Sequence, residues 1–252
     1  QFRLAYTIAK TIDESSGFRA RSSTFTDPTN PAFDRGLADF DAPQRLVVSP
    51  IWQIPWDKPF RDNAIMRKLT EGWTIATIAS FQSGNPFTLF SENNSAELDN
   101  YLERPDTIAP VQIYHNPRQI QTLSGNCGGG IPGHYYLNPA DFDCSVGQPI
   151  GLPADPNLPT TGGVPLFTFG NMRRNALRGP GINNWDFSIQ KDFKFSENKS
   201  FEFRGELFNA FNHVQFYSPT FQDGTIGGDS LFGQITSDRG PRVVQFAAKV
   251  YF

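Results

Sequence analysis

The stretch that decides the fold is VVQFAAKVYF, residues 243–252. Every second residue from Val244 to Phe252 is apolar, whereas Gln245 and Lys249 fall on the opposite side. A period of two is typical of a β-strand that has one apolar face. The segment therefore predicts a strand whose ring-bearing face needs either a covering protein layer or an apolar surrounding.

The composition also favours β-structure. Of the 252 residues, 38% are hydrophobic and 14% are aromatic, and phenylalanine alone accounts for 24. Aromatic residues are common in strands and at membrane interfaces. Composition alone leaves an extracellular β-sandwich open as an alternative.

Two classes of protein are disfavoured. No stretch approaches the roughly 18 to 20 consecutive apolar residues of a transmembrane helix, whereas the alternating strands of a transmembrane barrel keep average hydropathy low. The net charge is -3, with lysine and arginine scattered along the chain. A nucleic-acid partner is therefore not expected.

About six segments have the alternation of strands, each about 9 to 12 residues long, which suits a tilted bilayer crossing. Pro50 weakens the second segment because proline lacks a backbone donor, and Lys191 interrupts the apolar row of the fourth. The segments are 2–10, 45–54, 72–83, 184–195, 200–212 and 243–252.

The connections alternate in length. Residues 11–44, 91–183 and 213–242 are long, whereas 55–71 and 196–199 are shorter. Long external loops and brief periplasmic turns are typical of outer-membrane barrels. The fold class predicted is all-β, an antiparallel transmembrane barrel segment with long extracellular loops.

The insertion 91–183 holds 11 of the 20 prolines and 12 of the 22 glycines. This predicts a long extracellular loop without an α/β domain, although short hairpins or helical turns remain open. Both cysteines, Cys127 and Cys144, lie in it. A disulfide is predicted, worth roughly 3 kcal/mol by loop-closure entropy, and the Cys spacing does not suit zinc.

Five stretches, read together and in this order, resemble the final strands of Oar-like TonB-dependent outer-membrane receptors of the acidobacterial type. They are DRGLADFDAPQRLVVSPIWQIP (34–55), EGWTIATIASFQSGNPFTL (71–89), RRNALRGPGINNWDFSIQKDF (173–193), FEFRGELFNAFNHVQF (201–216) and FGQITSDRGPRVVQFAAKVYF (232–252).

The resemblance implies a 22-stranded barrel that is filled by an N-terminal plug and powered by an inner-membrane TonB complex. Residues 1–252 would then be the C-terminal part of a longer receptor, with the plug outside this chain. The expected partners are outer-membrane lipid, the TonB complex through that plug, the barrel assembly machinery and a substrate of unknown kind.

The last strand resembles the assembly signal of outer-membrane barrels. That signal has a polar residue, a small residue two positions later, and hydrophobic residues at the antepenultimate and final positions. Here these are Gln245, Ala247, Val250 and Phe252, with alanine in place of the usual glycine. An unpaired strand edge is what such machinery binds.

No catalytic, metal or cofactor site is predicted. His115, His134 and His213 lie in loops or at a strand end and are expected at the surface. Ser16 lacks the G-x-S-x-G pattern of a nucleophile elbow. Asp39 and Asp41 are too few for calcium, which takes six to eight oxygen ligands.

Six polar residues are predicted to line the lumen: Asp186, Gln190, Asp192, Glu202, Arg204 and Glu206. Two interpretations of these residues remain open: they are ordinary water-facing polar side chains, or they contact the plug. Possible substrate contacts are Arg173, Arg174, Arg178, Tyr135 and Tyr136, the last two together with Phe142, Phe167 and Phe169. The alternatives are solvated rim charge for the arginines and internal loop packing for the rings.

Two functions compete. The first is TonB-dependent transport of a bulky substrate such as an oligosaccharide, a peptide or an exported protein. The second is a structural or adhesive surface component that uses a barrel-derived scaffold and long loops. A third function, an outer-membrane barrel enzyme, is disfavoured because the sequence shows no catalytic constellation.

Overall fold

A computed structural model of the chain describes residues 1–16, 26, 30–60, 62–91, 104–144, 170–196, 199–219, 227 and 229–252. Within these residues the chain forms fourteen strands and one α-helix, α1 (Ala64–Thr70). The strands are β1 (Phe2–Ile8), β2 (Ile12–Asp13), β3 (Gly36–Leu37), β4 (Gln44–Ile54), β5 (Trp73–Gln82), β6 (Pro86–Phe87), β7 (Asp106–Thr107), β8 (Gln121–Gly125), β9 (Gly128–Gly133), β10 (Phe142–Asp143), β11 (Leu177–Arg178), β12 (Ile182–Ser196), β13 (Lys199–Phe208) and β14 (Val243–Tyr251).

The six long strands form one antiparallel sheet in the order β1-β4-β5-β12-β13-β14. Each overlaps one of the six predicted segments, so the antiparallel all-β prediction is confirmed. The connections 9–43, 83–181 and 209–242 leave one end of the sheet, which we call the loop end. Residues 55–72 and 197–198 connect strands at the other end, the link end.

The fifth predicted strand ends earlier than the alternation indicated. β13 stops at Phe208 because Asn209 and Asn212 adopt positive φ angles of 50° and 51°. The Asn209 side chain accepts a hydrogen bond from the His213 backbone N–H at 3.0 Å, which stabilises the turn. Phe211 therefore leaves the strand.

Pro50 is accommodated inside the sheet. It pairs with Phe2 of β1, but the β4–β5 ladder is interrupted between the pairs Val48–Ala79 and Ile51–Ala76. The register is the same on both sides of the gap. The missing proline donor therefore costs local pairing without shifting the strand, so proline is not confined to an edge here.

The register separates the sheet into two faces. The face that we call apolar carries Leu4, Tyr6, Leu46, Val48, Trp52, Ile75, Phe81, Trp185, Phe187, Ile189, Lys191, Phe203 and Phe246. The polar face carries Arg3, Arg45, Ser49, Gln82, Asn184, Asp186, Gln190, Asp192, Glu202, Arg204, Glu206, Gln245 and Lys249. The predicted alternation is thus present in all six strands.

Aromatic rings gather at both ends of the apolar face. Near the loop end, Phe211 lies 5.8 Å from the rings of both Trp185 and Phe187. Near the link end, the rings of Phe193 and Phe201 lie 6.0 Å apart. Eight residue steps separate Trp185 from Phe193, which is about 26 Å along the strand.

Among the described residues, no second layer covers the apolar face between its two ends. Phe203, Phe246 and Trp52 are 42%, 70% and 60% exposed. The buried hydrophobic core lies instead at the loop end, in the described parts of 9–43, 83–181 and 209–242, which we call the loop cap. Its members are Phe87, Leu89, Cys127, Tyr136, Leu137, Phe142, Cys144, Met172, Leu177, Phe232 and Ile235.

The proline- and glycine-rich insertion is therefore more ordered than a plain loop. It contains the β8–β9 hairpin and contributes two-stranded pairs, β10 with β7 and β11 with β6. The predicted disulfide is confirmed: Cys127 and Cys144 are bonded, and both side chains are buried in the core of the cap.

The link between β4 and β5 holds helix α1, which the sequence analysis did not predict. The Asn63 side chain caps it by accepting from the backbone N–H groups of Ile65 and Met66. Gly72, at φ 75°, follows the last turn and lets the chain enter β5. Among the described residues, no helix has both the length and the apolar character needed to cross a bilayer.

Candidate functional site on the polar face

A cleft of about 440 Å³ opens on the polar face at the loop end. Its floor comes from the adjoining ends of β4, β5, β12, β13 and β14, and the segment 209–242 forms one wall. The polar residues that line it are Arg45, Ser80, Gln82, Asn184, Asp186, Asn209, Gln215 and Arg239.

Hydrogen bonds hold this wall to the sheet. Asp186 accepts from the backbone N–H of Asn209 at 2.9 Å and from the Asn184 side-chain amide at 3.0 Å. The Gln215 side-chain carbonyl accepts from the backbone N–H of Asn183 at 2.8 Å. Of the predicted lumen residues, only Asp186 therefore lines the cleft, and its carboxylate is already engaged.

Two guanidinium groups dominate the charge of the cleft. Neither Arg45 nor Arg239 forms an ion pair with any described residue. The Arg239 guanidinium lies 4.4 Å from the ring centre of Tyr217, which holds it by a cation–π contact. Together with the amides of Gln82 and Asn184, the two arginines provide donors for a carboxylate, phosphate or hydroxyl group.

The other predicted lumen residues form a ladder towards the link end. The register places Gln190 opposite Arg204 and Asp192 opposite Glu202. Arg204 lies 2.6 Å from Glu202 and 3.6 Å from Glu206. The six residues share one face as predicted, whereas their contact with a lumen or a plug stays a prediction.

The three predicted arginines have different environments. Arg174 pairs with Asp13 at 2.7 Å and Asp39 at 3.3 Å, and Arg178 pairs with the buried Asp41. These pairs join the segment 170–181 to the segment 9–43. Arg174 and Arg178 therefore hold the cap together, which neither the substrate role nor solvated rim charge anticipated.

Asp41 shows how firmly one of these pairs is held. Burial alone would raise the pKa of its carboxyl group, but hydrogen bonds from the Arg178 side chain and the Thr11 backbone lower that pKa overall. Asp41 is thus an ionised structural group. Arg173, in contrast, is exposed.

The predicted loop aromatics lie inside the cap. Tyr135 and Phe142 are 1% and 0% exposed, and the Tyr136 hydroxyl donates to the Arg178 backbone carbonyl at 2.7 Å. Burial raises the pKa of Tyr136 to about 12. This geometry favours the packing alternative over substrate stacking. Phe167 and Phe169 lie outside the described residues.

The histidines and Ser16 have the environments of surface or structural residues. His115, His134 and His213 are exposed, as predicted. The Ser16 hydroxyl donates to Asp13 at 2.7 Å and accepts from Arg174 at 2.6 Å. Within the described part of the chain, no cluster of three His, Cys, Asp or Glu side chains is placed to hold a metal ion.

The four predicted assembly-signal residues lie on the last strand or just after it. Gln245 and Ala247 lie on the polar face of β14, and Val250 lies on the apolar face. Phe252 is 96% exposed. β14 is an edge of the sheet with one side unpaired among the described residues, and the assembly role of these residues stays a prediction.

Sequence reasoning missed the cleft. Arg45 and Gln82 belong to predicted strands, and their positions at strand ends on the polar side were a usable signal. Arg239 and Gln215 lie outside the predicted strands, and only the fold of 209–242 brings them to the sheet. No pattern in the sequence therefore indicated that they would line the cleft.

Comparison with known families agrees with this geometry. A family model described as an outer membrane beta barrel domain matches residues 1–245. The chain therefore belongs to this family and is a protein of the bacterial outer membrane. The predicted barrel-segment fold is confirmed, whereas the Oar-like TonB-dependent group stays a prediction. Searches of curated proteins and of solved structures returned no match.

Proposed function

We propose that this chain is the C-terminal wall of an Oar-like TonB-dependent receptor that moves a bulky polar substrate across the outer membrane. The observation that carries the proposal is one sheet with two different faces and, at its loop end, a folded cap that forms one wall of a cleft with two arginines that form no ion pair with any described residue. Family membership supports the membrane setting, and the five resembling stretches support the receptor type.

The apolar face fits hydrocarbon. Its two aromatic groups are separated by about 26 Å along a strand, close to the roughly 25 Å apolar band between the aromatic girdles of such barrels. In water, rings as exposed as Phe246 would need a covering layer, which the described chain does not provide. In lipid they need none.

The open edges fit a sector of a larger barrel. β1 and β14 each have one side unpaired among the described residues. Six strands enclose too little space for a plug, since barrel diameter grows with strand number. Further strands, to a nominal 22, would close the wall, and the barrel assembly machinery would act on β14.

The cap and the cleft give the substrate a path. With the loop end outside the cell, a substrate would meet the cap, then Arg45 and Arg239, then the ladder of polar side chains. Cationic donors at the entrance favour a substrate that carries carboxylate, phosphate or many hydroxyl groups.

The cleft can be tested with two defined probes, hexagalacturonate as an anionic oligosaccharide and maltohexaose as a neutral one. Replacing both arginines (Arg45→Gln, Arg239→Gln) should weaken hexagalacturonate binding by about tenfold per lost charge-assisted bond, measured by calorimetry. Arg118→Gln, on the exposed surface of the cap, is the control. Equal affinities for the double variant and the control would contradict this role, as would no binding to the unaltered protein.

The transport class is tested by formaldehyde cross-linking in cells that make the complete gene product. An adduct between this protein and TonB is expected. If other receptors in the same cells form TonB adducts and this one does not, the transport proposal fails. The folded, disulfide-bonded cap would then favour the adhesive alternative.

A further inference from the structure

The link between β4 and β5 packs against the apolar face. The Lys191 side chain projects from that face and donates to the backbone carbonyl of Lys68 at 3.0 Å and to that of Glu71. Trp73 adds a second tie, because its indole N–H donates to the Leu69 carbonyl at 3.0 Å. Both contacts satisfy carbonyls at the C-terminal end of α1.

These contacts explain why a lysine interrupts the apolar row. Lys191 is 2% exposed, its charge is solvated by the helix carbonyls, and its ammonium lies 4.8 Å from the ring centre of Phe193 and 5.5 Å from that of Trp73. An unpaired charge on a hydrocarbon-facing surface would be costly. Paired in this way, the lysine positions α1 against the sheet.

Five exposed side chains of the link are apolar. Ile65, Leu69 and Trp56 are 73%, 55% and 52% exposed, and Phe60 and Met66 are 38% and 37% exposed. At 100° per residue, Ile65, Met66 and Leu69 fall within one arc of about 100°, with Arg67 on the opposite side. The helix is therefore amphipathic, with its apolar arc uncovered by described residues.

Another apolar side chain of the link contacts the apolar face of the sheet. Trp56 lies 5.9 Å from Trp73, which begins β5 on that face, so one aromatic surface runs from the strands into the link. The basic side chains Lys58, Arg67 and Lys68 of the same link are also exposed. Tryptophan and basic residues next to an apolar arc are typical of the lipid head-group region.

We propose that the described residues of the link, 55–60 and 62–72, form an in-plane anchor that inserts into the phospholipid leaflet at the link end, with Lys191 as its positioning residue. The apolar arc enters the acyl boundary, while Lys58 and Lys68 reach phosphate groups. The inference rests on the family membership and on lipid contact by the apolar face, and it is independent of TonB or substrate.

The test is spin labelling of the full chain in vesicles of phosphatidylethanolamine and phosphatidylglycerol. The native cysteines are bonded to each other, so one introduced cysteine is labelled alone. Leu69→Cys should be accessible to oxygen and shielded from a water-soluble nickel chelate. Arg67→Cys, two residues away, should show the reverse. Ile65→Cys replaces Leu69→Cys if that variant does not fold, as judged by heat-modifiable migration.

Three results would overturn the anchor. Labels at 69 and 67 that are equally open to the nickel chelate would place the link in water. Labels shielded from both reagents would show a covering protein, either a partner or a second copy. A lipid-exposed label at Ile189 together with a water-exposed label at Leu69 would remove the anchor while leaving the barrel intact.

The positioning role of Lys191 has its own test. Lys191→Met keeps an unbranched side chain of similar length but removes the ammonium donor. The label at Leu69 should therefore lose its shielding from the nickel chelate. Lys194→Met, at the same end but on the polar face, should leave that shielding unchanged. Retained shielding in Lys191→Met would contradict the role.

Discussion

At the residue scale, the loop cap contains a buried pair of opposite charges. Arg104 and Asp34 lie 3.1 Å apart with side chains only 2% and 5% exposed, and Asp34 also accepts two hydrogen bonds from Thr26. Burial lowers the pKa of Arg104, and the Asp34 charge opposes that shift. The pair joins two distant segments of the chain at the cost of desolvating both charges.

Breaking this pair should destabilise the cap strongly. Arg104→Met leaves the Asp34 carboxylate buried without its cation, which is expected to cost about 3 to 5 kcal/mol. Hydrogen exchange of cap amides measures the loss. Arg118→Met, at an exposed position, should stay within about 0.5 kcal/mol. Similar exchange in both variants would show that Asp34 is not held by Arg104.

Tyr136 should make the free energy of unfolding of the cap depend on pH in the alkaline range. Its pKa is raised by burial from the usual 10 to about 12, so the folded state favours the neutral phenol. The unfolded chain ionises first, and cap stability should therefore fall as pH rises from 10 towards 12. Urea unfolding followed by near-UV circular dichroism measures the slope. Tyr136→Phe should show a smaller slope in this window, and equal slopes would contradict the assignment.

At the element scale, alternation predicted the strands well because side-chain direction has a period of two regardless of which strands pair. It failed where local geometry overrides the pattern. Phe211 continues the alternation of β13, yet the positive φ of Asn209 turns the chain away at Phe208. Helix α1 has only seven residues, too few to show a helical period in the sequence.

The disulfide should stabilise the cap without stabilising the main sheet. Cys127 and Cys144 lie in the hydrophobic core of the cap, and neither belongs to a strand of the main sheet. Replacing both by alanine should cost the cap roughly 3 kcal/mol by loop-closure entropy. Cap amides should exchange faster while β12 amides keep their protection. Equal loss of protection in β12 would mean that cap and sheet unfold as one unit.

At the scale of the whole molecule, the sheet and its two faces could be predicted from the sequence, and the cap could not. The faces depend on residue order within each strand. The cap depends on contacts between distant residues, such as Arg174 with Asp13 and Arg178 with Asp41. A single sequence does not encode such pairings in any local pattern, and proline and glycine in 91–183 favoured a loop.

The central claim is that the apolar face contacts hydrocarbon while the polar face contacts water. It is tested most directly by single cysteines at Phe187, Ser188, Ile189 and Gln190 of β12, spin-labelled in the protein in vesicles. We predict strict alternation, with labels at 187 and 189 accessible to oxygen and labels at 188 and 190 accessible to the nickel chelate. Labels at 187 and 189 that are shielded from both reagents would contradict the account, because a protein layer would then cover that face.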